Sequence, residues 1–125
     1  GAHTLILQPQ TKIGLLRRWL CGHGYRFLEE KLVRDKEQLY VVFRVAGGQG
    51  QELSEADALT GLLLGSDPLY GEYLSQHLKK LERERDGLAV SSLADKDARI
   101  THLQSLMEEI EKRKEAWTHG DGTRN

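Results

Sequence analysis

The sequence predicts an α/β protein: part of an open sheet, built from a strand, a helix and an antiparallel strand pair, followed by an α-helical antiparallel coiled-coil hairpin. Three observations predict it. Leu5-Ile6-Leu7-Gln8-Pro9-Gln10 is a short apolar strand that ends in a polar turn with Pro and runs into the helix-like stretch Leu15-Leu16-Arg17-Arg18-Trp19-Leu20. An open α/β sheet presents groups at its ligand-binding edge in this way. Two strand-like stretches then flank a polar connection of hairpin length, and after Asp67-Pro68 the apolar residues change to a heptad spacing.

Thr4 to Gln8 reads as a buried strand, because its apolar and β-branched residues run without alternation until Pro9 stops them. The next segment is a helix with Leu15, Leu16, Trp19 and Leu20 on one face and Arg17 and Arg18 on the other, ended by Gly22 or Gly24. Trp19 is then a core anchor. Tyr25 to Val33 and Gln38 to Ala46 are strands by their β-branched and aromatic content, joined by Arg34-Asp35-Lys36-Glu37.

Gly47-Gly48-Gln49-Gly50 is punctuation, and Ser54 with Asp57 three residues later is close to a helix-capping pattern. The glycines lack the Lys-Ser/Thr of a phosphate-binding loop, so this stretch reads as a linker. Beyond Asp67-Pro68, a helix-start pair, Leu74, Leu78, Leu81 and Leu88 are spaced four, three and seven apart. Ile100, Leu103, Met107, Ile110 and Trp117 continue at three, four, three and seven. Asp86-Gly87 through Ser91-Ser92 supplies the turn between the two helices. Arg85 and Lys114 interrupt the seam, either ending its tight packing or fixing its register. The expected organisation is a sheet-forming part at 1–47, a linker with a short helix at 48–66, the hairpin at 67–119 and a disordered tail at 120–125.

Composition excludes several classes. The chain has 125 residues, a net charge of -1 and 30% charged residues, with no apolar run near the ~20 residues that span a bilayer. Gly1-Ala2-His3-Thr4 shows no charged leader ahead of an apolar core. The sheet-forming part is too short to close a core unaided, so the chain is expected to begin inside a domain. Cys21 is the single cysteine, which suits a reducing, cytoplasmic setting. His3, His23, His77, His102 and His119 are scattered without metal-ligand spacing, and no catalytic set is visible. Residues 1–46 carry eight Lys and Arg against four acids. That local surplus suits a nucleic-acid face and equally an ordinary solvated surface.

In order and spacing, Leu5-Ile6-Leu7-Gln8-Pro9, Leu16-Arg17-Arg18-Trp19-Leu20, Gly24-Tyr25, Glu30-Lys31-Leu32-Val33, Tyr40, Leu53-Ser54 with Asp57, and Gly61 resemble the C-terminal half of the bacterial tRNA (adenine-22, N1)-methyltransferase family. The resemblance implies the C-terminal portion of a Rossmann-like methyltransferase sheet with a helical coiled-coil appendage. It further implies an S-adenosylmethionine-dependent activity on N1 of an adenine in tRNA, in the cytoplasm. The loop and the acidic residue by which such a family holds S-adenosylmethionine lie in the half not matched here. This chain alone is therefore expected to bind no cofactor and to be inactive. Gln10 stands where the family usually has Asn, and Leu62-Leu63-Leu64 stands where a Pro would follow Gly61. Gln8, Pro9 and Gln10, at the carboxyl end of the first strand, are the candidate substrate-binding residues. Lys12, Arg17 and Arg18 are candidates for phosphate contact, with solubility as the alternative role, and Lys79, Lys80 and Arg83 are candidates on a second, helical RNA-binding arm. Two other functions are open on these residues: a coiled-coil interaction module without catalysis, and a small RNA-binding protein.

Overall fold

In the computed structural model, residues 4–8, 12–50 and 52–122 are described, in the order β1 (Thr4–Leu7), α1 (Ile13–Gly22), β2 (Tyr25–Asp35), β3 (Gln38–Gly47), α2 (Glu55–Thr60), α3 (Tyr70–Ala89) and α4 (Lys96–Gly122). The chain divides into two compact units, Gly1–Tyr70 and Gly71–Asn125.

The first unit is built on a three-stranded antiparallel sheet in the order β1-β3-β2. The hairpin expected from Tyr25 onward is present, with Asp35 paired to Gln38 and only Lys36 and Glu37 in the turn. Lys36 takes φ 60° to close it, a conformation that costs an L residue about 1 kcal/mol. Lys36→Gly is therefore expected to raise the thermal midpoint by a few degrees. An unchanged or lower midpoint in a melting curve would rule out that strain.

Strand alternation places Val41, Phe43 and Val45 of β3 on one face, and all three are buried. Their cross-strand partners are Leu32, Glu30 and Phe27 of β2, with Leu7 and Leu5 of β1 opposite Phe43 and Val45. Phe27 and Glu30 are three residues apart, so simple alternation would send them to opposite faces. A bulge between Phe27 and Glu29 takes up the extra residue and turns both inward.

Helix α1 packs on this face, but in a different phase from the expected one. Arg17, Leu20 and Cys21 are buried, whereas Leu15 and Trp19 are exposed. Trp19 is not a core anchor. The buried carboxylate of Glu30 calls for a cation, and turning Arg17 inward rotates Trp19 to the outside. β1 also differs from expectation: Leu5 and Ile6 are exposed rather than buried.

Residues 48–66 contain the expected short helix, α2, with Ser54 as its cap through an Oγ bond from the Asp57 amide. They do not behave as a free linker. Ala56, Ala58, Thr60 and Leu64 are buried, and the first unit continues to Tyr70, because side chains of α1 and β2 grip this segment as described below.

In the second unit α3 and α4 run antiparallel. Gly71, at the start of α3, lies against Trp117 near the end of α4, where an added Cβ would come within 2.5 Å of the indole. At the other end, Glu84 and Leu88 share a groove with Ala98, His102 and Leu103. Leu74, Leu78, Leu81, Leu103, Met107 and Ile110 of the heptad seam are buried, joined by Leu106. The turn comes later than the glycine suggested. α3 continues through Gly87 to Ala89, and α4 continues to Gly122, past the start of the expected tail. Once nucleated, a helix gains one bond for each residue it adds. Residues 123–125 lie outside the described residues.

Candidate functional site

The carboxyl end of β1 and the start of α1 form the edge at which an open α/β sheet offers groups to a ligand. Gln8 is exposed there. Pro9 and Gln10, expected beside it, lie outside the described residues. Lys12 is exposed and precedes α1 in a left-handed conformation, φ 53° and ψ 40°. Arg18 is also exposed, on the outer side of α1.

Arg17 is the correction. It is fully buried and offers nothing to a phosphate. Its Nε donates to Oε1 of Glu30 at 2.8 Å, and its Nη1 donates to the Ala58 and Leu59 carbonyls at 2.8 and 3.2 Å. These carbonyls belong to the last turn of α2, where the helix has no donors left for them. Nη2 is buried without a hydrogen-bond partner among the described residues, and the guanidinium carbon lies 5.8 Å from the centre of the Phe43 ring.

Oε2 of Glu30 in turn accepts from the Leu62 and Leu63 amides at 2.7 and 2.6 Å. The chain reaches this position through Gly61 at φ 92°, where a Cβ would stand 3.0 Å from both Arg17 Nη2 and Glu30 Oε2. Asp67 makes a second grip. Its carboxylate accepts from the Leu32 amide at 2.8 Å and from the Leu69 amide at 2.9 Å. Arg17, Glu30, Gly61 and Asp67 thus fasten α1, β2 and α2 into one body. The sequence shows these residues only singly, and the local signal of a joint role is a charged residue within the apolar patterns of α1 and β2, at Arg17 and Glu30.

Lys79, Lys80 and Arg83 are exposed on α3 of the second unit, and Arg83 Nε donates to the Lys79 carbonyl one turn away at 3.4 Å. The structure describes them separately from Gln8, Lys12 and Arg18, which belong to the first unit. Among the described residues there is no cluster of His, Cys, Asp and Glu able to hold a metal ion, and no helix is long and apolar enough to cross a membrane. Cys21 is buried.

The family model for tRNA (adenine(22)-N(1))-methyltransferase matches residues 1–115. No curated protein matches the chain by sequence. Among solved structures, a candidate tRNA (m1A22) methyltransferase of Streptococcus pneumoniae, crystallised with S-adenosyl-L-methionine, is similar at a TM-score of 0.69 and 24% identity. That match covers 89% of this chain and 47% of that one. The B. subtilis m1A22 tRNA methyltransferase gives a TM-score of 0.74 at 20% identity, covering 90% of this chain and 51% of its own. TrmK of M. capricolum, solved with S-adenosyl-homocysteine, gives a TM-score of 0.65 at 17% identity, with 90% of this chain and 49% of that one covered. The chain spans about half the length of the solved structures it matches.

Proposed function

This chain belongs to the tRNA (adenine(22)-N(1))-methyltransferase family, and we propose that it forms the C-terminal part of a cytoplasmic enzyme that methylates N1 of adenine 22 in tRNA with S-adenosylmethionine as methyl donor. The family match over residues 1–115 carries the reading, and the α/β fold shared with the solved structures supports it. Nothing comparable favours a free-standing coiled-coil module or a small RNA-binding protein.

An adenosyl cofactor needs a cradle for its ribose and its methionine part at the carboxyl ends of the strands. Among the described residues that end of β1 offers Gln8 alone. Gly48-Gln49-Gly50 follows β3, and the next helix, α2, begins only at Glu55. These residues do not fit the cofactor by themselves, so the proposal assigns its binding to the half of the family's fold not represented in this chain.

The chain's own contribution is to the substrate. N1 of a paired adenine is engaged in base pairing, so the base must leave its stack before it can be methylated. Gln8, with Pro9 and Gln10 next to it in sequence, lies at the edge where that base would enter, and Lys12 and Arg18 are exposed for backbone phosphates. Lys79, Lys80 and Arg83 form the second RNA-binding surface, on the helical arm.

Two experiments test this. In native cells from which the gene is deleted, tRNA is expected to lose its N1-methyl mark at adenine 22, read by reverse-transcription arrest. An unchanged arrest would refute the activity. Reversing Lys79, Lys80 and Arg83 to Glu in the intact enzyme is expected to weaken tRNA binding by about tenfold or more and to reduce the salt slope by about one for each phosphate no longer neutralised. Unchanged affinity and slope would remove the arm from tRNA recognition.

A further inference from the structure

The helical hairpin carries a groove of its own, within the second unit. It lies toward the turn, has a volume of about 310 Å³, and is lined by Glu84 and Leu88 of α3 and by Ala98, Arg99, His102 and Leu103 of α4. That volume is at the small end of the range for ligand sites. Residues four apart on a helix share one face, so Glu84 with Leu88, Ala98 with His102 and Arg99 with Leu103 each present neighbouring side chains to the same space. The heptad seam loosens here for a reason visible in the sequence. Arg85 stands where the spacing calls for an apolar residue, and its guanidinium pairs with the neighbouring Asp86 at 3.3 Å. On α4 the lining includes Ala98, whose single methyl group leaves the space unfilled.

The floor and the walls differ in chemistry. Leu103 is buried and Leu88 half-buried, whereas Glu84, Arg99 and His102 are exposed around them. The Arg99 guanidinium is steadied by Asp95, Nε donating to Oδ2 at 2.8 Å. An apolar floor, two flat groups and one carboxylate suit a flat guest with N–H donors on its edge. A phosphate is a poor guest, because Glu84 repels it and the Arg99 charge is already shared with Asp95. Unpaired RNA bases are recognised by stacking on His rings or Arg planes and by hydrogen bonds along their pairing edge. Among the four bases guanine alone carries two adjacent donors on that edge, N1–H and the 2-amino group, which match the two oxygens of a carboxylate.

We propose that this groove binds an unpaired guanine in a loop of the RNA substrate, with Glu84 accepting from its pairing edge and Arg99 and His102 stacking on its face. The inference rests on the tRNA-methyltransferase reading and deepens it. In that reading Lys79, Lys80 and Arg83 contact phosphates without regard to sequence, and the groove adds a base-specific contact on the same arm.

The test measures the tRNA affinity of the intact enzyme with and without Glu84→Gln and Ala98→Leu. Both positions are exposed, and glutamine and leucine are good helix formers, so helical circular dichroism is expected to be unchanged. Glu84→Gln is expected to weaken binding about tenfold, the size of one bidentate base contact, with little change in the salt slope. The sign of the effect is diagnostic. A carboxylate that only faces solvent repels RNA, so its removal would leave affinity unchanged or raise it. Ala98→Leu, which fills the groove, is expected to weaken binding at least as much. Replacing loop guanosines one at a time with inosine, which lacks the 2-amino group, then locates the base. One replacement is expected to weaken binding by the parent severalfold and to have little further effect on Glu84→Gln. Unchanged or tighter binding by Glu84→Gln would overturn the proposal, as would the absence of any inosine position that couples to it. Methylation of tRNA by the parent enzyme, read in the same preparation, separates the two readings. Normal methylation with binding unaffected in both variants would sink this inference alone. A parent that binds a guanine-bearing RNA loop through Glu84 but does not methylate tRNA would sink the functional reading alone.

Discussion

Glu30→Ala is expected to lower the stability of the first unit by about 3–5 kcal/mol, the range found when one partner of a buried ion pair is removed. Both side chains of the pair are fully buried. The substitution strands the Arg17 guanidinium, which already holds one unpartnered nitrogen, and it takes the acceptor from the Leu62 and Leu63 amides. The attraction between the two ions does not set the size of this effect, because much of it is offset by their desolvation. A control follows from that. Replacing both partners with apolar residues, Arg17→Met with Glu30→Leu, is expected to recover part of the loss in urea unfolding curves, although the Leu62 and Leu63 amides and the Ala58 and Leu59 carbonyls then lack a partner. A double variant no more stable than Glu30→Ala would show that the hydrogen bonds made by the two charged side chains, to the Ala58 and Leu59 carbonyls and the Leu62 and Leu63 amides, are required.

In the second unit, Ile110→Ala is expected to cost about 2–5 kcal/mol. Ile110 is fully buried, as is Leu74 on α3. Two helices have few other apolar layers over which to spread a cavity, so the upper part of the range is expected. Helical circular dichroism followed through a melt is the measurement. Val90→Ser, at a position 87% exposed in the turn after α3, is expected to stay within about 0.5 kcal/mol of the parent. Equal effects from the two substitutions would mean that the seam does not hold the helices together.

The repeating elements are legible in the sequence because their signal is local. The β2-β3 hairpin and the Leu74, Leu78, Leu81 and Leu103, Met107, Ile110 seams follow from spacing alone. α1 defeats the same reasoning because a charged residue occupies its inner face, and a periodicity argument assigns charge to solvent. The cause of that inversion, Glu30, lies thirteen residues away on another element, and it faces Arg17 only because the bulge after Phe27 shifts the alternation of β2. The role of Asp67 is hidden for a similar reason. Next to Pro68 it reads as a helix start, and one carboxylate oxygen does accept from the Leu69 amide just ahead of α3, but the other reaches back across thirty-five residues to the Leu32 amide. For the candidate site, the position of Gln8 at the end of β1 is readable, and the removal of Arg17 from the phosphate-binding set is not.

The span of the Arg17–Glu30 knot along the chain bears on how fast the protein folds and unfolds. The two-residue turn lets β2 and β3 meet almost without loop closure. The knot must bring Arg17 to carbonyls about forty residues away, a long closure that only later contacts repay. The hairpin is therefore the expected early structure, with the knot expected to close after the main barrier. Under that order, weakening the knot leaves the refolding rate of the first unit nearly unchanged and speeds its unfolding, so the buried ion pair sets chiefly how long the native state lasts.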